Sequence, residues 1–155
     1  MKISKFVYSL FSLQIHVITI YRISHFLYYR VPVGGKLFAV AARHLMRVYS
    51  SCDISPKAYI SKDCKFPHPL GIVIGDGVII KENVKIWHRV TLGSHGKKGG
   101  NQEYPIVERG AKIYNSATIV GPVRLGEFCV IGAHAFVSKS VPDYKTAVGI
   151  PARIL

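Results

Sequence analysis

His68 and His88 are the side chains of this sequence best suited to moving a proton, because an unperturbed imidazole already changes charge between pH 5 and 8. They lie in the stretches "PHPLG" and "IWHRV". The hexad spacing set out below places them at one corner on successive turns of a repeat, so that the two rings are expected to stack. Asn115 and then Ala133 take the same position on the following turns, and Lys139 comes just past them. The column therefore reads imidazoles at one end, small residues in the middle and cations at the other, with Arg153 as a second cation. Such a groove suits a long thin ligand with an anionic head. Coenzyme A is one, having a pantetheine arm of a few strand spacings and phosphates for Lys139 and Arg153 to meet.

The elements that must hold this column are legible in "IGDGVIIKENVKIWHRVTLG", residues 74–93. Ile74, Ile80, Ile86 and Leu92 recur at every sixth place, and Val78, Val84 and Val90 keep the same step. A step of six fits neither a lone helix nor a plain strand. The same large and small slots return as Val107, Ile113, Ile119, Leu125, Ile131 and Val137, and as Ala111, Ala117, Val123, Cys129, Ala135 and Val141. Upstream the step is broken by two extra residues in "FPHPLGIV" (66–73) and resumes at Phe66, Ile60 and Ile54. Short hexapeptide repeats are the signature of a parallel β-helix, in which stacked neighbours bury the face that no single unit can bury alone. Three hexads per coil make a triangular prism of about four coils, a mainly β fold preceded by a helical segment. The expected division is a basic α-helical cap over 1–50, the β-helix over 51–142 with a loop excursion at 93–106, and a C-terminal tail over 143–155.

With 155 residues and 49% hydrophobic content the chain reads as one globular domain with an appendage. Its net charge of +13 is unevenly placed: residues 1–52 hold Lys2, Lys5, Arg22, Arg30, Lys36, Arg43 and Arg47 and no acid. Such a segment is drawn to an anionic surface or ligand. Nucleic acid is not expected, since no zinc-finger or RNP-type signature accompanies the charge. The first fifty residues read as two helices separated by "VPVGG", and the uncharged stretch "FVYSLFSLQIHVITIY" (6–21) in the first is shorter than the about 20 residues a membrane span needs. Beyond "VPVGG" a second helix carries Lys36, Arg43 and Arg47 on one stripe. The pair is either a cap packed on the prism or on a sister subunit, or a basic amphipathic surface resting on an inner membrane. No clean signal-peptide cleavage site follows the start. Three cysteines without CxxC spacing, two of them (Cys64 and Cys129) in the small slot, suggest buried thiols in a reducing cytoplasm.

The stretches "DISPKAYISKDCKFPHPLGIVIGDGVIIKENVKIWHRVTLGSHGKKGG" and "SKSVPDYKTAVGIPARIL" resemble the hexapeptide-repeat acyltransferases, specifically their serine acetyltransferase branch. "YRISHF" (21–26) resembles the helical segment of that branch. The resemblance implies a left-handed β-helix, a homotrimer, and acetyl-CoA bound between adjacent subunits, with no metal. It also implies that His68 is the catalytic histidine and that Asp53, fifteen residues earlier, pairs with it. An imidazole can take the proton of an acceptor hydroxyl as its oxygen attacks a thioester, and a carboxylate on the other ring nitrogen fixes the tautomer. The extra residues around His68 behave like a bulge, which re-aims a side chain. His88 matches a histidine of O-acetyltransferases from surface-polysaccharide pathways, where it orients substrate or meets the thioester carbonyl. The family's CoA positions match Asn115, Ala133, Ser138, Lys139 and Arg153, and its loop at 93–105 reaches over a neighbouring subunit's site.

One departure shapes the expected acceptor. Serine acetyltransferases hold the substrate carboxylate with an Arg-His pair at the end of that loop, where this sequence has Glu103 and Tyr104. A glutamate repels a carboxylate, so the expected activity is acetyl transfer to a sugar hydroxyl in capsule, exopolysaccharide or lipopolysaccharide synthesis. Glu103 and Tyr104 would contact the sugar or lipid-linked saccharide, and the basic cap would face the membrane. The alternatives are a serine O-acetyltransferase of cysteine biosynthesis, a β-helical carbonic anhydrase-like metal site on His68, His88 and His95, and a non-catalytic β-helix.

Overall fold

The computed structural model of the chain describes residues 12–96 and 103–155. Two helices come first, α1 (Leu13–Arg30) and α2 (Gly35–Ser50). Helix α1 stops just before "VPVGG", where Pro32 holds Val31 in an extended conformation. Residues 6–11 of the expected helix lie outside the described residues. The hairpin between α1 and α2 is tight: Gly35 sits against the Leu27 carbonyl with no room for a Cβ. Ser24 Oγ donates to the Ala39 carbonyl at 2.9 Å.

Beyond the helices the chain winds into a prism with three faces. Face A stacks Asp53–Ile54, Val73–Ile74, Thr91–Gly93, Thr118–Val120 and Phe136–Val137. Face B stacks Tyr59–Ile60, Ile79–Ile80, Ile106–Val107 and Arg124–Leu125. Face C stacks Lys85–Ile86, Lys112–Ile113, Val130–Ile131 and Thr146–Val148, all parallel, and closes on an antiparallel Arg153–Ile154. The large slots stand directly over one another, as in Ile54, Ile74, Leu92, Ile119 and Val137. With the small slots they form the buried core, Ile60 alone among the large slots being only partly covered. A left-handed residue three places after a large slot turns the chain from B to C at Asn83, Gly110 and Phe128, and from C to A at Arg89, Ser116 and His134.

The open N-terminal end of the core is closed by the helices. Val17, Tyr21 and Met46 join the buried cluster, and Tyr21 Oη donates to the Ala58 carbonyl at 2.8 Å. Burial pushes the Tyr21 phenol up to about 12, so it stays a neutral donor. Among the described residues no helix is long and apolar enough to cross a membrane. Because the core is a single file of stacked side chains, Ile113→Ala opens a hole between Ile86 and Ile131 that neither neighbour can fill. The expected cost is about 2–5 kcal/mol, read from denaturant midpoints. A loss well under 1 kcal/mol would mean the slot is not sealed.

Candidate active site

The edge between faces C and A carries the residues of the expected column. His68, His88, Asn115 and Ala133 all lie where the chain passes from C to A. The stacking differs in one respect. Arg89 N–H donates to the Leu70 carbonyl at 2.8 Å, Ser116 N–H to the His88 carbonyl and His134 N–H to the Asn115 carbonyl, both at 3.0 Å. The backbone column is therefore Leu70, His88, Asn115, Ala133. His68 does not stack under His88, because the two extra residues fall at 67–70 and the ladder resumes only at Leu70. His68 instead stands out in the bulge with positive φ, exposed, beside a cleft of about 460 Å³ lined by Ser12, Leu13, Gln14 and Pro67–Leu70.

Two neighbours fix the bulge. Cys52 Sγ lies 3.2 Å from the Pro69 carbonyl and accepts from Ile72 N–H at 3.4 Å, and Gly71 N–H donates to the Ser50 carbonyl at the end of α2. Cys52 was legible as a support, since it continues the small-slot step of Ala58 and Cys64. All three cysteines are free and buried, and burial raises the Cys64 thiol to about 12 and Cys129 to about 11.

Asp53 sits on face A just past this edge, but its carboxylate is not paired with His68. Arg43 Nε and Arg47 Nη2, both from α2, donate to its two oxygens, the second at 2.9 Å. Burial raises the Asp53 carboxyl, but hydrogen bonds from Arg47 and Arg43 outweigh it and hold the group below its ordinary range. The ion pairs thus add to stability while Asp53 is ionised, and that contribution is lost as pH falls through the lowered value. The basic stripe of α2 accordingly turns two of its three cations toward the prism. Beside Lys36 and His44, α2 shows apolar side chains to solvent: Leu37, Val40, Leu45 and Val48.

On the same edge, His88 is half-buried and its Nδ1 is enclosed with no hydrogen-bond partner among the described residues. Next to the column Trp87 stacks on Tyr114, with centroids 4.5 Å apart.

Of the remaining expected residues, Ser138, Lys139, Glu103 and Tyr104 lie on the next edge, between A and B, and Arg153 lies on the antiparallel strand that closes face C. Ser138 and Lys139 follow Phe136–Val137 of face A, so Lys139 does not end the His88 column: one hexad past Ala133 is one corner further round. Ser138 and Lys139 line a small cavity of about 150 Å³ with Pro151, Ala152 and Ile154. Arg153 is exposed beside it. The loop excursion also leaves and rejoins the prism here, and its residues 97–102 lie outside the described part. His95 packs on Gly121, and the Tyr104 ring lies across Gly75 and Gly77, where a Cβ would collide with it. Within one chain, then, Glu103, Tyr104 and His95 are an edge away from His68 and His88.

No protein-family model matches the chain. It is 37% identical over 142 residues to the serine acetyltransferase of Buchnera aphidicola subsp. Schizaphis graminum, covering 90% of this chain and 52% of that protein. Among solved structures, a truncated serine acetyltransferase apoenzyme superposes with a TM-score of 0.88 at 37% identity, over 96% of this chain and 60% of the other. The Brucella abortus serine acetyltransferase in complex with coenzyme A gives 0.85 at 34% identity, over 92% and 55%.

The chain has the hexapeptide-repeat acetyltransferase fold.

This fold is a left-handed parallel β-helix, as the hexads lead one to expect, with the helical segment before it. The chain spans about half the length of the curated relatives it matches. Those relatives overturn the sugar acceptor. They are serine acetyltransferases, including that of Haemophilus influenzae at 38% identity, and none of the similarities described here points to a polysaccharide pathway. A physical reason agrees with them: the Tyr104 ring packs across Gly75 and Gly77 of its own prism and so holds the loop end in place, rather than offering an open face to a sugar.

Proposed function

We propose that this chain transfers an acetyl group from acetyl-CoA to the hydroxyl of serine. The observation that carries the reading is an exposed histidine, His68, aimed by a bulge at the C–A edge of a prism that matches serine acetyltransferases over nearly its whole length. The His68 imidazole takes the hydroxyl proton as the serine oxygen bonds to the thioester carbonyl carbon. The C–S bond breaks, and the departing thiolate recovers the proton from the imidazolium, giving O-acetylserine and CoA. Each Asp53 oxygen keeps a second lone pair beyond its arginine, enough for a hydrogen bond that orients His68. The unpartnered Nδ1 of His88 is a ready contact for the acetyl carbonyl or the acceptor.

A homotrimer completes the site in this proposal. The catalytic histidines and the Lys139 cavity occupy two edges of one chain, and they meet only if the C–A edge of one subunit adjoins the A–B edge of the next. Face A, lying between those edges, then looks toward the shared axis. Its outward residues past the first coil, Val73, Thr91, Thr118 and Phe136, carry no charge. Face C, by contrast, stacks Lys65, Lys85 and Lys112 with no ion pair among the described residues, and this suits an outer surface. Coenzyme A would run from Asn115 and Ala133 to the neighbour's Ser138 and Lys139. Lys139→Ala and Arg153→Ala are expected to weaken CoA more than dephospho-CoA, because a cation facing the 3′-phosphate contributes only when it is there. Equal losses for both ligands, measured by calorimetry, would place these side chains elsewhere. The activity itself is tested by following free CoA thiol with and without L-serine.

A further inference from the structure

Serine brings a carboxylate that the site must meet, and the inference here rests on serine being the acceptor. Glu103 cannot meet it. Two arginines flank the His68 bulge. Arg47 approaches from α2, whose end receives the Gly71 N–H, and Arg89 approaches from the coil below, its side chain lying against Gly71 and its N–H bonded to the Leu70 carbonyl. Arg89 is exposed and has no ion pair among the described residues. Arg47 places one terminal nitrogen on Asp53 and is 48% exposed, so the rest of its donor fork is open. Arg43 and Arg47 share the one carboxylate of Asp53, while Arg89 has no ion pair among the described residues, which leaves positive charge beside the candidate base.

The left-handed corners of this chain carry Asn83, Gly110, Ser116, Phe128 and His134 as well as Arg89, so the backbone does not select the side chain there. Of these side chains only the guanidinium of Arg89 offers a planar fork matched to a carboxylate. We infer that Arg89 and Arg47, on either side of the bulge, form the subsite for the carboxylate of the amino-acid acceptor. The acceptor hydroxyl is then held toward His68, and uncharged hydroxyl compounds are disfavoured because they leave these guanidinium groups uncompensated.

The test compares L-serine with L-serinamide, which has the same hydroxyl and ammonium but no carboxylate. In the full chain, Arg89→Gln is expected to raise the KM for serine roughly tenfold or more while leaving those for serinamide and acetyl-CoA in place. Arg89→Lys, keeping charge without the fork, falls between. Arg47→Gln acts in the same direction, with thermal melting used to check that α2 stays docked. Unchanged serine KM in Arg89→Gln, or parallel losses for serine and serinamide, overturns the subsite. Calorimetric binding of serine to the CoA-loaded protein separates the two ideas. Serine bound through Arg89 but never acetylated defeats the proposed reaction and leaves the subsite standing. Serine acetylated with native KM by Arg89→Gln defeats the subsite alone, and no binding at all defeats both.

Discussion

His68→Ala is expected to lower turnover by about 10²- to 10⁴-fold with little change in acetyl-CoA affinity. The size follows from what the imidazole does: a serine hydroxyl is a poor nucleophile at neutral pH, and the group that takes its proton acts only in the transition state. The bulge matters to the interpretation. The His68 side chain is exposed and makes no hydrogen bond or ion pair among the described residues, so its removal leaves no buried cavity and thermal stability should stay near that of the native protein. A large fall in kcat with unchanged melting is the signature sought. Native turnover in the alanine variant would remove His68 as the base and direct attention to His88, whose enclosed Nδ1 has no hydrogen-bond partner among the described residues.

The second large effect concerns assembly. Thr118→Arg would set one cation from each subunit around the proposed three-fold axis. It is expected to yield monomers and to cost about 10²-fold or more in activity, since half of each site is then missing. Lys112→Glu, on face C, is expected to leave both assembly and activity in place. A mixing experiment sharpens the point. His68→Ala damages the C–A edge and Ser138→Trp blocks the A–B edge, so each variant alone should be inactive. In mixed trimers about one site in four pairs an intact C–A edge with an intact A–B edge, and activity should return to roughly that fraction. If each site lay within one chain, no mixture could recover it. An active monomeric Thr118→Arg protein, or no recovery on mixing, would end the shared-site arrangement.

The repeat was legible because it is a one-dimensional code. Ile74, Ile80, Ile86 and Leu92 declare a six-residue step, and every slot they predict is filled by a residue of the right size. The step also located the bulge to within a few residues, but not which residue leaves the ladder. Counting puts His68 under His88, whereas the hydrogen bonds put Leu70 there. Lys139 was misplaced for a related reason, since a hexad read as a continuation along one edge is in fact a turn onto the next. The arginines were harder. Arg43 and Arg47 appear in the sequence only as a stripe on a helix, and a stripe has no direction until the helix is docked. Gly35, Ala39, Met46 and Ser50 form the buried face that turns inward, and this choice swings the cations beside it onto Asp53. Arg89 carries no local signal of its own, because the same left-handed corner position holds residues as different as Asn83, Phe128 and His134.

The last coil has a consequence of another kind. A stack of parallel strands with in-register aliphatic ladders shares its geometry with a cross-β fibre, and its ends are open templates on which further strands could add. At one end the two helices cover the core. At the other, Arg153–Ile154 doubles back against Thr146–Val148, Phe136 N–H is taken by the Gly149 carbonyl, and Ala152 N–H donates to the Phe136 carbonyl. Val141 likewise exchanges hydrogen bonds with Arg124 and Gly126 on face B. The segment that shapes the cavity around Lys139 therefore also works as a stopper. By reversing its direction it presents a register that no further parallel coil can continue, which keeps a self-templating architecture finite.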